Sequence, residues 1–267
     1  MDLSGRRALL TGATGGLGRA IATAMAARGA TLVLSARGRE PLEQQAAALP
    51  GSGHAVLPAD LAEPGAADRL AEEAGAVDVL VANAGLPAAG WLSDFSSEQV
   101  SRALRVNLEA PMLLARALFP AMVERGSGHL VFVASLSGKA ASPRSSIYNA
   151  TKFGLRGFAL GLRPDLAPRG VGVSLVSPGF IRDAGMFAEA GAKPPPGMGT
   201  ARPDQVGAGV VKAIEHDRVE VAVAPLQQRL AAHLALASPG LGVRAQSGSA
   251  GQKAAESIAS GHSSDKR

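Results

Sequence analysis

The sequence predicts an α/β fold, one doubly wound domain whose parallel sheet is covered by helices on both faces. Three observations predict it. Short apolar runs, most of them rich in Leu or β-branched residues and too short for helices, recur along the first 223 residues; runs apolar on both faces suit a parallel sheet buried on both sides. Helix-length amphipathic segments alternate with these runs. Gly accounts for 33 of 267 residues, about 12% against an average near 7%, so tight turns and close backbone approaches are frequent.

In order, the predicted strands are Ala8–Leu10, Thr31–Leu34, Ala55–Leu57, Val77–Val81, Leu130–Val133, Val171–Val176 and Val219–Val223. Helical patterns occupy residues 16–28, 39–48, 64–74, 97–125, 147–168 and 203–216. Right-handed crossovers place these helices on both faces of the sheet. Pro164 removes a backbone donor late in its helix, so a kink or a helix end is expected there. A further amphipathic helix, 225–237, stops at Ser238-Pro239-Gly240; its Leu226, Leu230, Leu234 and Leu236 beside Arg229 and His233 suit a pocket lining, a subunit interface or a membrane surface. The expected domain is thus 1–239. Residues 240–267, rich in Gly, Ser and Ala, are expected to form a flexible or weakly docked tail. Ala192-Lys193-Pro194-Pro195-Pro196-Gly197-Met198-Gly199 is incompatible with helix or central strand, which marks a mobile, substrate-facing lid around 183–205. Met186, Phe187 and Met198 in that lid fit either an apolar substrate or packing of the loop on itself.

Composition narrows the function. There is no Cys, hence no disulfide, thiolate metal site or cysteine nucleophile. The histidines (His54, His129, His216, His233, His262) lack ligand spacing, and no metal site is expected. A net charge of +5 is scattered over many Arg, and one Tyr and one Trp offer few stacking platforms, which argues against nucleic-acid binding. No continuous apolar run approaches the ~18–20 residues of a membrane span. Met1 to Leu10 lacks the apolar region and cleavage site of a secretory signal, so the expected location is cytoplasmic.

The first strand runs into Thr11-Gly12-Ala13-Thr14-Gly15-Gly16-Leu17-Gly18 and then a helix. A Gly-rich turn from strand to helix lets the backbone approach a pyrophosphate, and the helix N-terminus offers free N–H groups and a positive dipole. Gly12 serves the turn, and Gly16 and Gly18 the close approaches. The second strand ends in Ser35-Ala36-Arg37 with no acidic residue to accept from a ribose 2′-OH. Arg37 suits a 2′-phosphate, which favours NADP(H) over NAD(H). Tyr148 and Lys152 stand four apart on one helix face. A nearby ammonium favours the phenolate and lowers the phenol's pKa, as proton exchange with a carbonyl or alcohol oxygen requires.

Taken in order and spacing, these segments resemble the short-chain dehydrogenase/reductase family. The resemblance spans residues 4 to about 225 and rests on Thr11 to Gly18, Asp60-Leu61, Asn83-Ala84-Gly85, Asn107, Ser135-Leu136-Ser137-Gly138, Tyr148-Asn149-Ala150-Thr151-Lys152 and Pro178-Gly179. It implies a single Rossmann-type domain with a seven-stranded parallel sheet, assembled as a homodimer or homotetramer. It implies that Tyr148 is the catalytic acid/base and that Lys152 lowers its pKa and holds the nicotinamide ribose. By the same resemblance, Ser135 is expected to hydrogen-bond the substrate oxygen and Asn107 to help hold a water leading from Lys152 to solvent. Asp60 with Leu61 is expected to meet the adenine and Asn83-Ala84-Gly85 to lie beside the adenosine, while Ser137 is expected to serve the turn. Two departures concern the cofactor. Arg182-Asp183 stands where the family often has a Thr touching the carboxamide, leaving backbone near Ile181 to make that contact. Gly15 stands where NADP-preferring members often have Lys or Arg.

The expected activity is therefore an NADP(H)-dependent oxidoreductase interconverting a small-molecule carbonyl and an alcohol. The alternative is a non-catalytic NADP-binding regulator or scaffold on the same fold.

Overall fold

A computed structural model describes residues 1–261. In chain order its elements are β1 (Arg7–Thr11), α1 (Gly16–Ala26), β2 (Thr31–Ser35), α2 (Arg39–Ala48), β3 (Ala55–Val56), α3 (Ala66–Ala74), β4 (Val79–Ala82), α4 (Ser97–Leu104) and α5 (Ala110–Glu124). There follow β5 (Gly128–Val133), α6 (Ser146–Leu166), β6 (Val171–Pro178), α7 (Met186–Glu189), α8 (Pro203–Glu215), β7 (Glu220–Val223), α9 (Leu226–Ala237), α10 (Pro239–Gln246) and α11 (Ser249–Ser260). Among the described residues seven parallel strands form one sheet, the number the resemblance implies, in the order β3-β2-β1-β4-β5-β6-β7. Thr11 lies opposite Ser35 and Leu10 opposite Val81, so the strand order reverses across β1 and β4. In sheets of this kind the crevice at that reversal, outside the carboxyl ends of the strands, is where ligands bind.

Each face of the sheet has its own apolar layer. On one, Leu10, Leu34, Val81 and Val131 meet Ile21 and Met25 of α1, Leu42 of α2 and Val206, Val210 and Ile214 of α8. On the other, Leu9, Leu80, Phe132 and Leu175 meet Leu70 of α3, Leu114 and Leu118 of α5 and Leu155 of α6. Gly207 allows α8 to lie on α1, since a methyl there would meet the Ala20 carbonyl oxygen at 2.5 Å. Burying these side chains contributes roughly 1.5–3 kcal/mol for each large one.

The stretch predicted as one helix over 97–125 opens with a capping box, Ser96 accepting from Gln99 N and Gln99 reaching back. It contains a π-helical segment, Arg105–Glu109. Ser97–Glu124 as a whole is long and apolar enough to cross a membrane by composition, a property that counting continuous apolar runs misses. Ala110, Leu114, Leu118 and Met122 are instead packed in the core. Pro164 lies in the last turn of α6, which ends two residues later and passes through a 3-10 turn to Gly170 at φ +76°. The segment expected as a tail is helical over α10 and α11. Its Ala-rich composition favours helix, Ala255 and Ala259 are buried, and Arg144 pairs with Glu256 at 2.6 Å. Residues 262–267 of that segment lie outside the described residues. The expected lid is an excursion closed at its base, where Ile181 bridges Ala201; α8 already starts at Pro203, inside the 183–205 range expected for it.

Candidate active site

The carboxyl ends of β1 and β4 build the floor of the site. Gly12 adopts φ +63°, and a methyl there would meet Ala84 Cα at 2.8 Å, so this turn admits glycine alone. A methyl on Gly18 would meet Ala13 O at 2.6 Å. Asn83 locks the two strands together, its Nδ2 donating to Thr11 O (3.1 Å) and Gly12 O (3.2 Å). The Thr11 hydroxyl accepts from the Asn83 and Ala84 amides, both at 3.1 Å. Thr14 turns its carbonyl to Arg19 Nε at 3.0 Å. Helix α1 begins after Gly15 with no side-chain cap and no acidic residue in its first turn. The N–H groups of Gly16, Leu17 and Gly18 thus have no intrahelical acceptor. An uncapped, glycine-lined helix start at the strand-order reversal fits a pyrophosphate.

Around this floor, Ala13 N donates to Ser35 O at 3.0 Å and Ala59 N to Ala36 O at 3.0 Å, so the β2 end is held by backbone bonds. Arg37 is exposed just beyond it, with no partner among the described residues. Asp60 accepts from Ala62 N at 2.9 Å, beside buried Leu61. The dinucleotide's residues expected from sequence therefore lie along one crevice edge and fit the group in chemistry: open amides for phosphate, a free guanidinium for a 2′-phosphate, a carboxylate for an amino group.

Tyr148 and Lys152 occupy one face of α6. Lys152 Nζ lies 5.6 Å from the phenol ring centroid and donates to Val133 O at 3.0 Å. Burial lowers the Lys152 ammonium to about 8. Burial also raises the Tyr148 phenol above its ordinary value, opposed by a hydrogen bond with Ser135. In the protein alone, desolvation outweighs the hydrogen bond with Ser135, so the phenol sits above its ordinary value there. Ser135 stands at the end of β5; its Oγ accepts from Ser137 N at 3.0 Å and reaches Pro178 O at 3.5 Å. The turn after Ser135 is pressed onto α6, since a methyl at Gly138 would meet Lys152 O at 2.7 Å. Asn107 lies in the π-helical segment, fully buried. Its Oδ1 accepts from Leu86 N at 2.7 Å and its Nδ2 donates to Leu86 O at 2.9 Å. Nδ2 also reaches Thr151 Oγ1 at 3.4 Å, and that hydroxyl donates to Tyr148 O at 2.7 Å. Single-turn π segments inside α-helices recur at functional sites. The Thr151 link and the π segment were not predicted; a continuous apolar period carries no mark of either.

The strand β6 brings in the third side. Gly179 N donates to Val223 O at 3.1 Å. Ile181 is buried, its backbone tied to Ala201, while Arg182 and Asp183 are exposed and paired to each other at 3.3 Å. Beyond them Ala184 and Gly185 bend over Gly16 and Leu17. Met186 reaches the floor: a methyl at Gly85 would lie 3.5 Å from Met186 Cε, 3.5 Å from Asn107 Oδ1 and 3.9 Å from Lys152 Nζ. Phe187 stacks at 4.8 Å on Phe180. Gln228 of α9 is the unpredicted member. Buried to 5%, it accepts from Phe180 N (3.0 Å) and donates to Met198 O (3.1 Å) and Gly199 O (2.9 Å), holding both ends of the lid. A lone Gln in an amphipathic helix carries no sequence signal of this.

Fold and crevice together define an α/β oxidoreductase. The chain belongs to the short-chain dehydrogenase/reductase family: residues 6–195 match the family model described as short chain dehydrogenase. It is therefore an enzyme of CH–OH groups in a family that binds NAD or NADP. The ketoacyl reductase HetN of Nostoc sp. (strain PCC 7120) is 37% identical over 227 residues, 83% of this chain and 79% of that protein. A short-chain dehydrogenase from Sphingobium yanoikuyae, solved in complex with NADPH, superposes with TM-score 0.77 at 28% identity, covering 92% of this chain and 97% of its own. A metagenomic short-chain oxidoreductase in complex with NADP gives TM-score 0.69 at 32% identity, covering 84% and 99%.

Proposed function

We propose that the protein is an NADP(H)-dependent reductase of a small-molecule carbonyl, with Tyr148, Lys152, Ser135 and Asn107 as its working set. The observation that carries this reading is the placement of the Tyr148 phenol, on one face of α6 with buried Lys152 one helical turn away, its Nζ 5.6 Å from the ring centre. When bound, the nicotinamide supplies or takes up the hydride. Ser135 Oγ holds the substrate oxygen, and Tyr148 Oη gives that oxygen its proton. Lys152 holds the ribose, and its ammonium, anchored on Val133 O, sustains the positive field under the phenol. Asn107 clasps Leu86 and so fixes the backbone past Gly85, from where a water would relay protons between Lys152 and solvent. Desolvation keeps the phenol protonated, the form that donates to a carbonyl oxygen. The name of the Nostoc relative, a ketoacyl reductase, supports reduction as the direction.

Support for NADP comes from Arg37 at the end of β2 and from the two neighbours solved with NADPH and NADP. Assembly as a homodimer or homotetramer, a cytoplasmic location and a substrate lid around 183–205 on a 1–239 domain belong to the same reading. The test is NADPH consumption with a panel of ketones, aldehydes and 3-ketoacyl thioesters. On a substrate so found, Tyr148→Phe is expected to lose ~10²–10⁴-fold in kcat; full activity of that variant ends the assignment of Tyr148.

A further inference from the structure

Among the described residues, helix α9 carries an apolar stripe that stays exposed. Helix α9 turns Gln228 and Ala232 inward and leaves Leu226, Leu230 and Leu234 at 59–61% exposure. These three stand at i, i+4 and i+8, one above another on the same side. Helix α10 adds Leu241 and Val243, 54% and 59% exposed. A single exposed leucine is ordinary, whereas three aligned on one helix, with two more exposed apolar side chains on the helix that follows, mark an interaction site.

Along α9 and α10 the charged side chains have one sign. Between Glu220 and Glu256 the chain has no acidic residue, while Arg229, Arg244 and Lys253 fall within that stretch. Arg229 and His233, each three residues beyond a stripe leucine, border the stripe and are exposed, as is Arg244. A second copy packed on this face about a two-fold axis would set Arg229 and Arg244 against like charges with no acid in the segment to pair them. A surface of anionic headgroups over acyl chains matches both properties, burying the leucines and attracting the guanidinium groups.

We propose that the α9–α10 face seats this enzyme on an anionic lipid bilayer, lying on it rather than crossing it. Leu226, Leu230 and Leu234 enter the headgroup–acyl boundary, and Arg229 and Arg244 meet the headgroup phosphates. Helix α9 serves the active site from its opposite side, where Gln228 holds both ends of the lid. The docking face and the lid anchor therefore share one helix.

The experiment is flotation of the full chain with extruded vesicles. Vesicles of phosphatidylcholine with about one-third phosphatidylglycerol are expected to carry the protein at least ~10-fold better than phosphatidylcholine alone, and less well as salt rises. Leu230→Ser/Leu234→Ser is expected to weaken that binding about 10-fold or more, with the far-ultraviolet circular dichroism and NADPH binding unchanged. Arg229→Glu/Arg244→Glu is expected to abolish the preference for anionic vesicles. The proposal is overturned if the protein does not float with anionic vesicles or if the leucine variant floats as well as the parent. It is likewise overturned if sedimentation velocity shows the leucine substitutions dissociating an oligomer of a parent that ignores vesicles, which would assign the face to a second copy.

Discussion

Lys152 places its Nζ 5.6 Å from the centre of the Tyr148 ring, yet its hydrogen bond goes to the Val133 carbonyl at 3.0 Å. The ammonium is thereby fixed to the end of β5 and not to the phenol, so its influence on Tyr148 is through space. Both groups are desolvated, and desolvation acts on them in opposite senses: it lowers the ammonium to about 8 and raises the phenol.

The pH dependence of the reaction follows. Carbonyl reduction uses the protonated phenol, so its kcat/KM is expected to hold from about pH 6 to about pH 8 and to decline above that as Lys152 loses its charge. Alcohol oxidation needs the phenol to accept a proton and is expected to climb across the same alkaline range. Paired pH profiles in the two directions check this, and coincident profiles would contradict it.

Replacing Lys152 is expected to separate stability from activity. An unfolded lysine titrates near 10.4 and the folded one at about 8, so between these values the unfolded chain binds more protons and stability rises with pH. Below about pH 8 the buried charge imposes its full penalty, on the order of 3 kcal/mol at ~1.36 kcal/mol per tenfold change in proton affinity. Lys152→Met is thus expected to unfold at a higher temperature than the parent near pH 7, by less than that figure implies because the bond to Val133 O is lost, and to be inactive. The stability gap is expected to narrow toward pH 10; denaturant melts at both ends measure it.

Cofactor choice is expected to turn on Arg37. Titration by nicotinamide fluorescence should show tighter binding of NADPH than NADH by the parent, and Arg37→Asp should reverse the order by removing a charge-assisted bond to the 2′-phosphate and supplying an acceptor for the 2′-OH. NADH binding better to the parent contradicts the NADP reading.

Gln228→Leu is expected to loosen the lid. It deprives Phe180 N, Met198 O and Gly199 O of their partner, and an unsatisfied buried group costs about 1–3 kcal/mol. The expected signs are a lower melting temperature, faster proteolysis between 186 and 199, and a rise in KM larger than any fall in kcat. Unchanged proteolysis would show that Gln228 does not hold the lid.

Much of the architecture was legible because burial on both faces leaves few polar residues in the strands. The runs at Leu130–Val133 and Val171–Val176 fall inside β5 and β6. The glycine turn was legible because its geometry excludes side chains, as Gly12 against Ala84 shows. The π segment at Asn107 was hidden because one extra residue per turn hardly disturbs an amphipathic period. Helices α10 and α11 were hidden because Gly and Ser obscure the helix preference of their alanines. The roles of Thr151 and Gln228 depend on partners distant in sequence, Asn107 in the π-helical segment and the backbone of the lid.

The bridge between Ile181 and Ala201 gives the fold a separable module. Both feet of the intervening excursion are pinned together and to Gln228, so residues added or removed between them pull on neither β6 nor α8. Because lengthening such a closed loop changes its entropy only slowly, a family built on this plan can retailor what it accepts by rewriting about twenty residues while the chemistry beneath them stays as it is.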